Sequence, residues 1–399
     1  MRRSNGAFGA FCLLCMLAVF GPRRSAAQVP LDLDRLYRAQ DAAASRTAVL
    51  AIQQAISSLP PTSGQLFTYE LDMETGVPRR SDRLGPTVLR SAETAGKGTF
   101  TLRGALSYFS LDQSFGPIVQ KIESGPDAVF AAIGTALDAE VGVATMSLTY
   151  GLLEKLDAYL TVPLVASGTA ARSLISINDR GGTVGSPTLN DLEQALATGS
   201  AEIQSFPLPG FDDGAHAGVG RINVGTRGLM FATSRYRVAG GCDFYFPSPN
   251  EEQFAGSASA SILPRLIGSA KLTDRLRLYG DVGYEYDFDI RELRRFTWDA
   301  GMSLPLAALT MDIGMGGSHY AAPIRWTPDR VSLPGRPPLV VSALGPNEAG
   351  TNLVTFLAGL KFRVSDMVVL SGGVSLPVTD PGVQSMVAGT VAAEVYFSD

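Results

Sequence analysis

Cysteine is scarce in this 399-residue chain, with three in all. Cys12 and Cys15 lie near the N-terminus and Cys242 stands alone in the rest. A disulfide framework within the body of the chain is therefore excluded. His216 and His319 are far apart and lack neighbours at metal-ligand spacing. They supply no metal site, and no cofactor is expected. After the first twenty residues no run approaches ~18 consecutive apolar residues, which excludes a spanning helix. Charged residues make up only 18%, the formal net charge is −5, and no basic run interrupts that balance. A nucleic-acid partner is excluded on the same ground.

What is present begins with a leader. Arg2 and Arg3 precede an apolar stretch, Ala7 to Phe20, and Ser25-Ala26-Ala27 supplies small residues for cleavage. Residues 1–27 read as a secretory signal peptide, too short to span a membrane and followed by a processing site. Its removal takes away four arginines and leaves about 372 residues of formal charge about −9. Residues 28–97 form an extension of different character. Leu31 to Leu59 is Ala-rich, places Val49, Ile52 and Ile56 at helical spacing, and ends at Pro60-Pro61. Residues 62–97 read as an irregular connector. The extension is expected to lie in the periplasm or to enter the barrel below as a plug.

From residue 98 the chain changes period. Residues 275–288, RLRLYGDVGYEYDF, put Arg277, Asp281, Glu285 and Asp287 on one face. Leu276, Leu278, Val282, Tyr284, Tyr286 and Phe288 fall on the other. Period two is the mark of a strand between two environments. About twelve such stretches follow one another to residue 397, many near the ~9–11 residues that cross a tilted outer-membrane barrel. Tight connections at 151–155, 272–275, 305–308 and 364–366 alternate with long ones at 110–138, 167–217 and 323–348. That asymmetry fits an all-β transmembrane antiparallel barrel of about twelve strands, residues 98–399, better than a water-soluble sandwich. Glycine, at 43 residues, suits bends and close contacts in a curved sheet.

The two faces divide the charges. Arg221, Arg227, Arg277, Asp281, Glu285, Arg295, Asp299, Asp312, Lys361 and Glu394 all fall opposite the apolar set. A charge facing lipid at the midplane costs about 2–4 kcal/mol, so these ten are expected to line the lumen. There they either pair to satisfy a polar interior or form a constriction that selects solutes. Tyr284, Tyr286, Phe288, Phe296, Trp298 and Phe397 are expected near the membrane–water interfaces.

Three stretches carry a family resemblance. They are SAETAGKGTFTLRGALSYFSLD (91–112), MSLTYGLLEKLDAYLTVPLV (146–165) and AGVGRINVGTRGLMF (217–231). Together they resemble the first strands of the outer-membrane barrels known as meta-pathway of phenol degradation proteins, over about residues 85–397. Arg221 stands where that family often has Asp after its Gly-x-Gly. The resemblance implies a transmembrane barrel that moves small hydrophobic or aromatic compounds inward. Its partners would be outer-membrane lipid, a small-molecule solute and the barrel-assembly machinery. The C-terminus departs from the usual terminal aromatic, because Ser398 and Asp399 follow Phe397.

Enzyme chemistry finds little support. Ser318 and His319 are adjacent on a strand and so point to opposite faces. Asp212 and Asp213 in DDGAH read as a solvated loop rather than a cation site. Two readings stand: a passive channel, or a non-conducting barrel whose long loops bind partners. The leader reading is checked by mass spectrometry of the membrane-extracted protein, whose N-terminus is expected at Gln28.

Overall fold

The structure, a computed structural model, describes residues 67–71, 78–121, 130–178, 203–207, 214–248, 259–306, 308–320, 324–331, 339–346, 351–379 and 387–397. The strands, in chain order, are β1 (Phe67–Leu71), β2 (Pro78–Leu84), β3 (Phe100–Lys121), β4 (Phe130–Leu153), β5 (Leu156–Asn178), β6 (Ile203–Pro207), β7 (Gly214–Val219), β8 (Asn223–Ala232), β9 (Tyr236–Tyr245), β10 (Ser261–Thr273), β11 (Leu276–Asp287), β12 (Arg295–Leu306), β13 (Leu309–Tyr320), β14 (Ile324–Val331), β15 (Leu339–Pro346), β16 (Thr351–Arg363), β17 (Val368–Pro377) and β18 (Ala388–Phe397).

Twelve of these strands close on themselves. The path runs β3, β4, β5, β8, β9, β10, β11, β12, β13, β16, β17, β18, and β18 pairs back onto β3 with Phe397 opposite Phe100. Every neighbour is antiparallel, so the backbone of the belt is satisfied by ladders on both sides and the closed sheet leaves no open edge to lipid. β6, β7 and β8 lie in succession along β5, opposite Arg172–Ser176, Leu164–Thr169 and Leu156–Thr161. They act as one interrupted strand, and Arg221 sits in the break between β7 and β8.

Burial is inverted relative to a water-soluble protein. Val282, Tyr284 and Tyr286 of β11 are exposed, whereas Arg277, Asp281, Glu285 and Asp287 are buried. The same holds on β13, where Met311, Ile313 and Met315 are exposed and Asp312 is 1% exposed. An outer wall of Leu, Met, Val and Phe around a charged interior is stable only if the outside is hydrocarbon. Aromatic pairs flank that wall. Phe244, Phe246, Tyr286 and Phe288 cluster at the long-loop end, with the Tyr286 and Phe288 rings 5.8 Å apart. Phe100 and Phe397 meet at 5.9 Å at the opposite end. Both positions fit membrane–water interfaces.

Four expectations need correction. Residues 110–138, read as a long loop, are mostly ladder: the β3–β4 register continues to Lys121 opposite Phe130. β5 likewise runs on to Asn178, inside the expected 167–217 loop. Beyond the rim no lipid imposes an apolar face, so backbone pairing persists where alternation fades. The 323–348 loop contains the β14–β15 ribbon, and the irregular 62–97 connector contains the β1–β2 hairpin. The helix expected at 31–59 and the leader lie outside the described residues.

Val282, in the middle of β11 and facing outward, gives the direct test of the lipid reading. Val282→Lys is expected to lower folding stability by about 2–4 kcal/mol, read by denaturant titration of the protein refolded into bilayers. No loss would return β11 to an aqueous setting.

Candidate functional site: the barrel interior

Residues 83–98 do not stay outside the barrel. Leu84, Val88, Leu89, Ala92, Glu93 and Thr94 are all at most 4% exposed, and their partners are inward-facing strand residues. Thr87 donates its backbone N–H to the Asp312 carboxylate. Ala92 donates to the Ser269 hydroxyl at 2.9 Å, and Ala95 to both oxygens of Asp157 at 3.0 and 3.1 Å. Arg90 lies 3.9 Å from Asp281. Glu93 accepts from Arg237 and, at 2.9 Å, from Arg277. The segment thus crosses the wall from β13 to β5 and satisfies its own backbone on lumen side chains, as a buried chain without ladder partners must.

Glycine makes the room. A Cβ on Gly301 would lie 2.8 Å from Leu89, one on Gly359 would lie 2.9 Å from Thr87, and one on Gly373 would lie 2.7 Å from Val88. Gly96 and Gly98, at φ 82° and 78°, turn the segment out of the lumen into β3. Gly98 donates its N–H to the Gly151 carbonyl at 2.9 Å, which fastens that turn to β4.

The interior charges form three levels. Toward the long loops, Glu285 accepts from Arg221 at 3.2 Å, Arg295 at 2.9 Å and Ser261 at 2.8 Å. Arg221 is also 3.7 Å from Asp287, and Arg295 reaches the Tyr320 hydroxyl at 3.1 Å. Each of these guanidiniums lies by a tyrosine ring: Arg221 by Tyr245 at 5.1 Å and Arg295 by Tyr320 at 5.7 Å. In the middle, Arg265 bridges Asp243 at 3.1 Å and Asp281 at 2.7 Å. Asp299 is the register partner of Asp281, and Tyr159 donates to Asp243 at 2.6 Å. Toward the short turns, Arg227 pairs with Asp157 at 2.7 Å. There Glu394 lies between Arg103 at 3.5 Å and Lys361 at 3.4 Å.

All ten charged residues read from the sequence lie on the inner face, but fewer pair with one another than the sequence suggests. Arg227 takes Asp157, Arg277 takes Glu93, and Asp312 takes a backbone N–H. The candidate set leaves out Asp157, Asp243 and Arg265, all of which strand parity places on the inner face. Glu93 and Arg90 sit in an irregular segment that carries no periodic signal. Ser318 is buried and His319 exposed, so the two do not meet; His319 faces Asn352 at 2.9 Å. Asp212 and Asp213 lie outside the described residues, and among the described ones no group of three His, Cys, Asp or Glu could hold a metal ion.

The class that this geometry defines is a closed membrane-spanning β-barrel with a chain segment inside its lumen. No protein-family model matches the sequence, and no curated protein matches it. Among solved structures it is similar to the COG4313 outer membrane channel from Pseudomonas putida F1, with 10% identity over 77% of this chain and 98% of that one and a TM-score of 0.45. It is also similar to the Pseudomonas putida toluene transporter TodX, at 10% identity, 76% and 91% coverage and a TM-score of 0.37. The KdgM porin follows at 8% identity, 73% and 99% coverage and a TM-score of 0.35. At such identities and scores no solute or residue role passes from these proteins to this chain.

The Glu285 level gives a stability prediction. Removing a buried partner leaves its counter-charge uncompensated. Glu285→Ala is expected to destabilise the barrel by about 3–5 kcal/mol in the same unfolding assay. Gly373→Val is expected to expel Val88, seen as faster hydrogen exchange at residues 84–95 in a barrel that still resists detergent.

Proposed function

We propose that this protein is an outer-membrane channel for the passive uptake of small solutes, hydrophobic and aromatic ones included. The observation that carries the reading is the closed barrel whose buried face is polar and charged while its outer face is apolar. Such a wall separates a hydrophilic path from lipid. The tyrosine–guanidinium pairs at Arg221 and Arg295 offer ring faces and cations on which an aromatic solute can rest. On this reading the leader delivers the chain for export, the assembly machinery inserts the barrel, and lipid covers its outer wall. Binding groups for solute along the path are Arg221, Glu285 and Arg295 above and Asp281 with Asp299 below.

Residues 83–98 favour a second reading, a barrel plugged at rest. Their ion pairs and backbone hydrogen bonds fix them across the short-turn half of the lumen. With about twelve strands the bore lies between one filled by side chains and an open aqueous channel, so one inserted segment matters.

Conductance in a planar bilayer tests both readings. Stable steps from the full-length protein, with ion selectivity altered by Arg221→Ala or Asp281→Asn, are the expected result for an open path. Steps that appear only in Arg90→Ala/Glu93→Gln, where two anchors of the inner segment are lost, are expected for the plugged barrel. Silence from correctly folded protein of both kinds would sink the aqueous channel and leave lateral transport of hydrophobic solutes or the interaction barrel.

A further inference from the structure

At the short-turn mouth, between the inner segment and the β9–β10 wall, lies a cavity of about 160 Å³. A water molecule's share of liquid volume is about 30 Å³, so the cavity has room for one small solute. Arg235, Arg237, Lys271 and Arg277 line it, together with the Ser269 hydroxyl and the single carboxylate of Glu93. Arg277 is 4% exposed, so part of this charge is held away from bulk water, where electrostatic attraction is stronger. Asp274, in the turn beside it, is engaged at 2.9 Å by Lys271, whose hydrogen bond holds that carboxyl below the usual range. The balance around the cavity stays positive, with four cations against two carboxylates.

The cavity already contains an example of what it binds. Glu93, carried on the inner segment, is a carboxylate gripped by two guanidiniums from the strands on either side of β10, Arg237 of β9 and Arg277 of β11. Paired guanidiniums converging on one oxyanion are a strong, charge-assisted arrangement. Ser269 accepts from the Ala92 N–H, which leaves its own hydroxyl hydrogen to donate. We propose that this pocket is a binding site for a small free oxyanion, a carboxylate- or phosphate-bearing solute, that competes with Glu93 for Arg237 and Arg277. An anion that wins this competition removes a tether of residues 83–98, so occupancy of the site and position of the inner segment are linked.

The assignment goes beyond a general solute path and does not depend on conduction, because it is read as binding by the full-length protein in neutral detergent. Benzoate and inorganic phosphate are titrated calorimetrically. Saturable binding of at least one is expected, and which one binds names the source of the oxyanion. Glu93→Gln is expected to tighten binding by about tenfold, because the internal competitor is gone. Arg235→Glu and Lys271→Glu are expected to weaken it by about tenfold or more. Arg235 is exposed, so this variant keeps the fold, which heat-modifiable gel mobility verifies. Absence of saturable heat with both anions, in wild type and Glu93→Gln alike, would overturn the proposal. So would binding that neither charge reversal changes, or that Glu93→Gln leaves at the wild-type affinity.

Discussion

The closed antiparallel ladder in an apolar solvent is the constraint on which the rest of this structure depends. Each strand must satisfy its backbone sideways, and β18 must return to β3, because an open edge in hydrocarbon would strand a row of N–H and C=O groups. Closure then divides the side chains by parity alone. Val282 and Asp281 are neighbours in sequence, and one faces lipid while the other is buried among charges. No core between two layers is needed. The apolar side chains do their work outside, where a soluble protein would expose them at a cost.

That division moves the difficult packing to the lumen. Charges turned inward are held by partners on the adjacent strand, as Arg295 holds Glu285 and Arg103 holds Glu394, or on strands further round the wall, as Arg221 and Lys361 hold the same two carboxylates. The inner segment completes this arrangement. It contributes Glu93 to Arg237 and Arg277, and it takes Asp157 and Asp312 for its own amides. The lumen glycines opposite Thr87, Val88 and Leu89 show that wall and segment are matched in shape as well as charge. One stretch of chain therefore packs the lumen and pairs its charges.

The barrel was largely legible because its signal is local. Alternation along 275–288 assigns β11, its two faces and its turn without reference to any other strand. The same reasoning found all twelve strands and put ten charged residues on the inner wall. It failed where the environment stops imposing alternation: the long β3–β4 hairpin above the rim, the β14–β15 ribbon and the β1–β2 hairpin. It also failed to pair the charges, since Arg227 and Asp157 lie seventy positions apart and only register brings them together.

By itself, then, the sequence determined the strand period, the two-faced wall and the asymmetry of its connections. Each of these is written in residues close together in the chain and read by a single contrast between lipid and water. Only the tertiary structure decided which lumen charges meet, where residues 83–98 run, and that Glu93 sits in a basic pocket at the barrel mouth. Those features depend on closure, which sets strands from opposite ends of the chain side by side and leaves an irregular segment to fill the space between them.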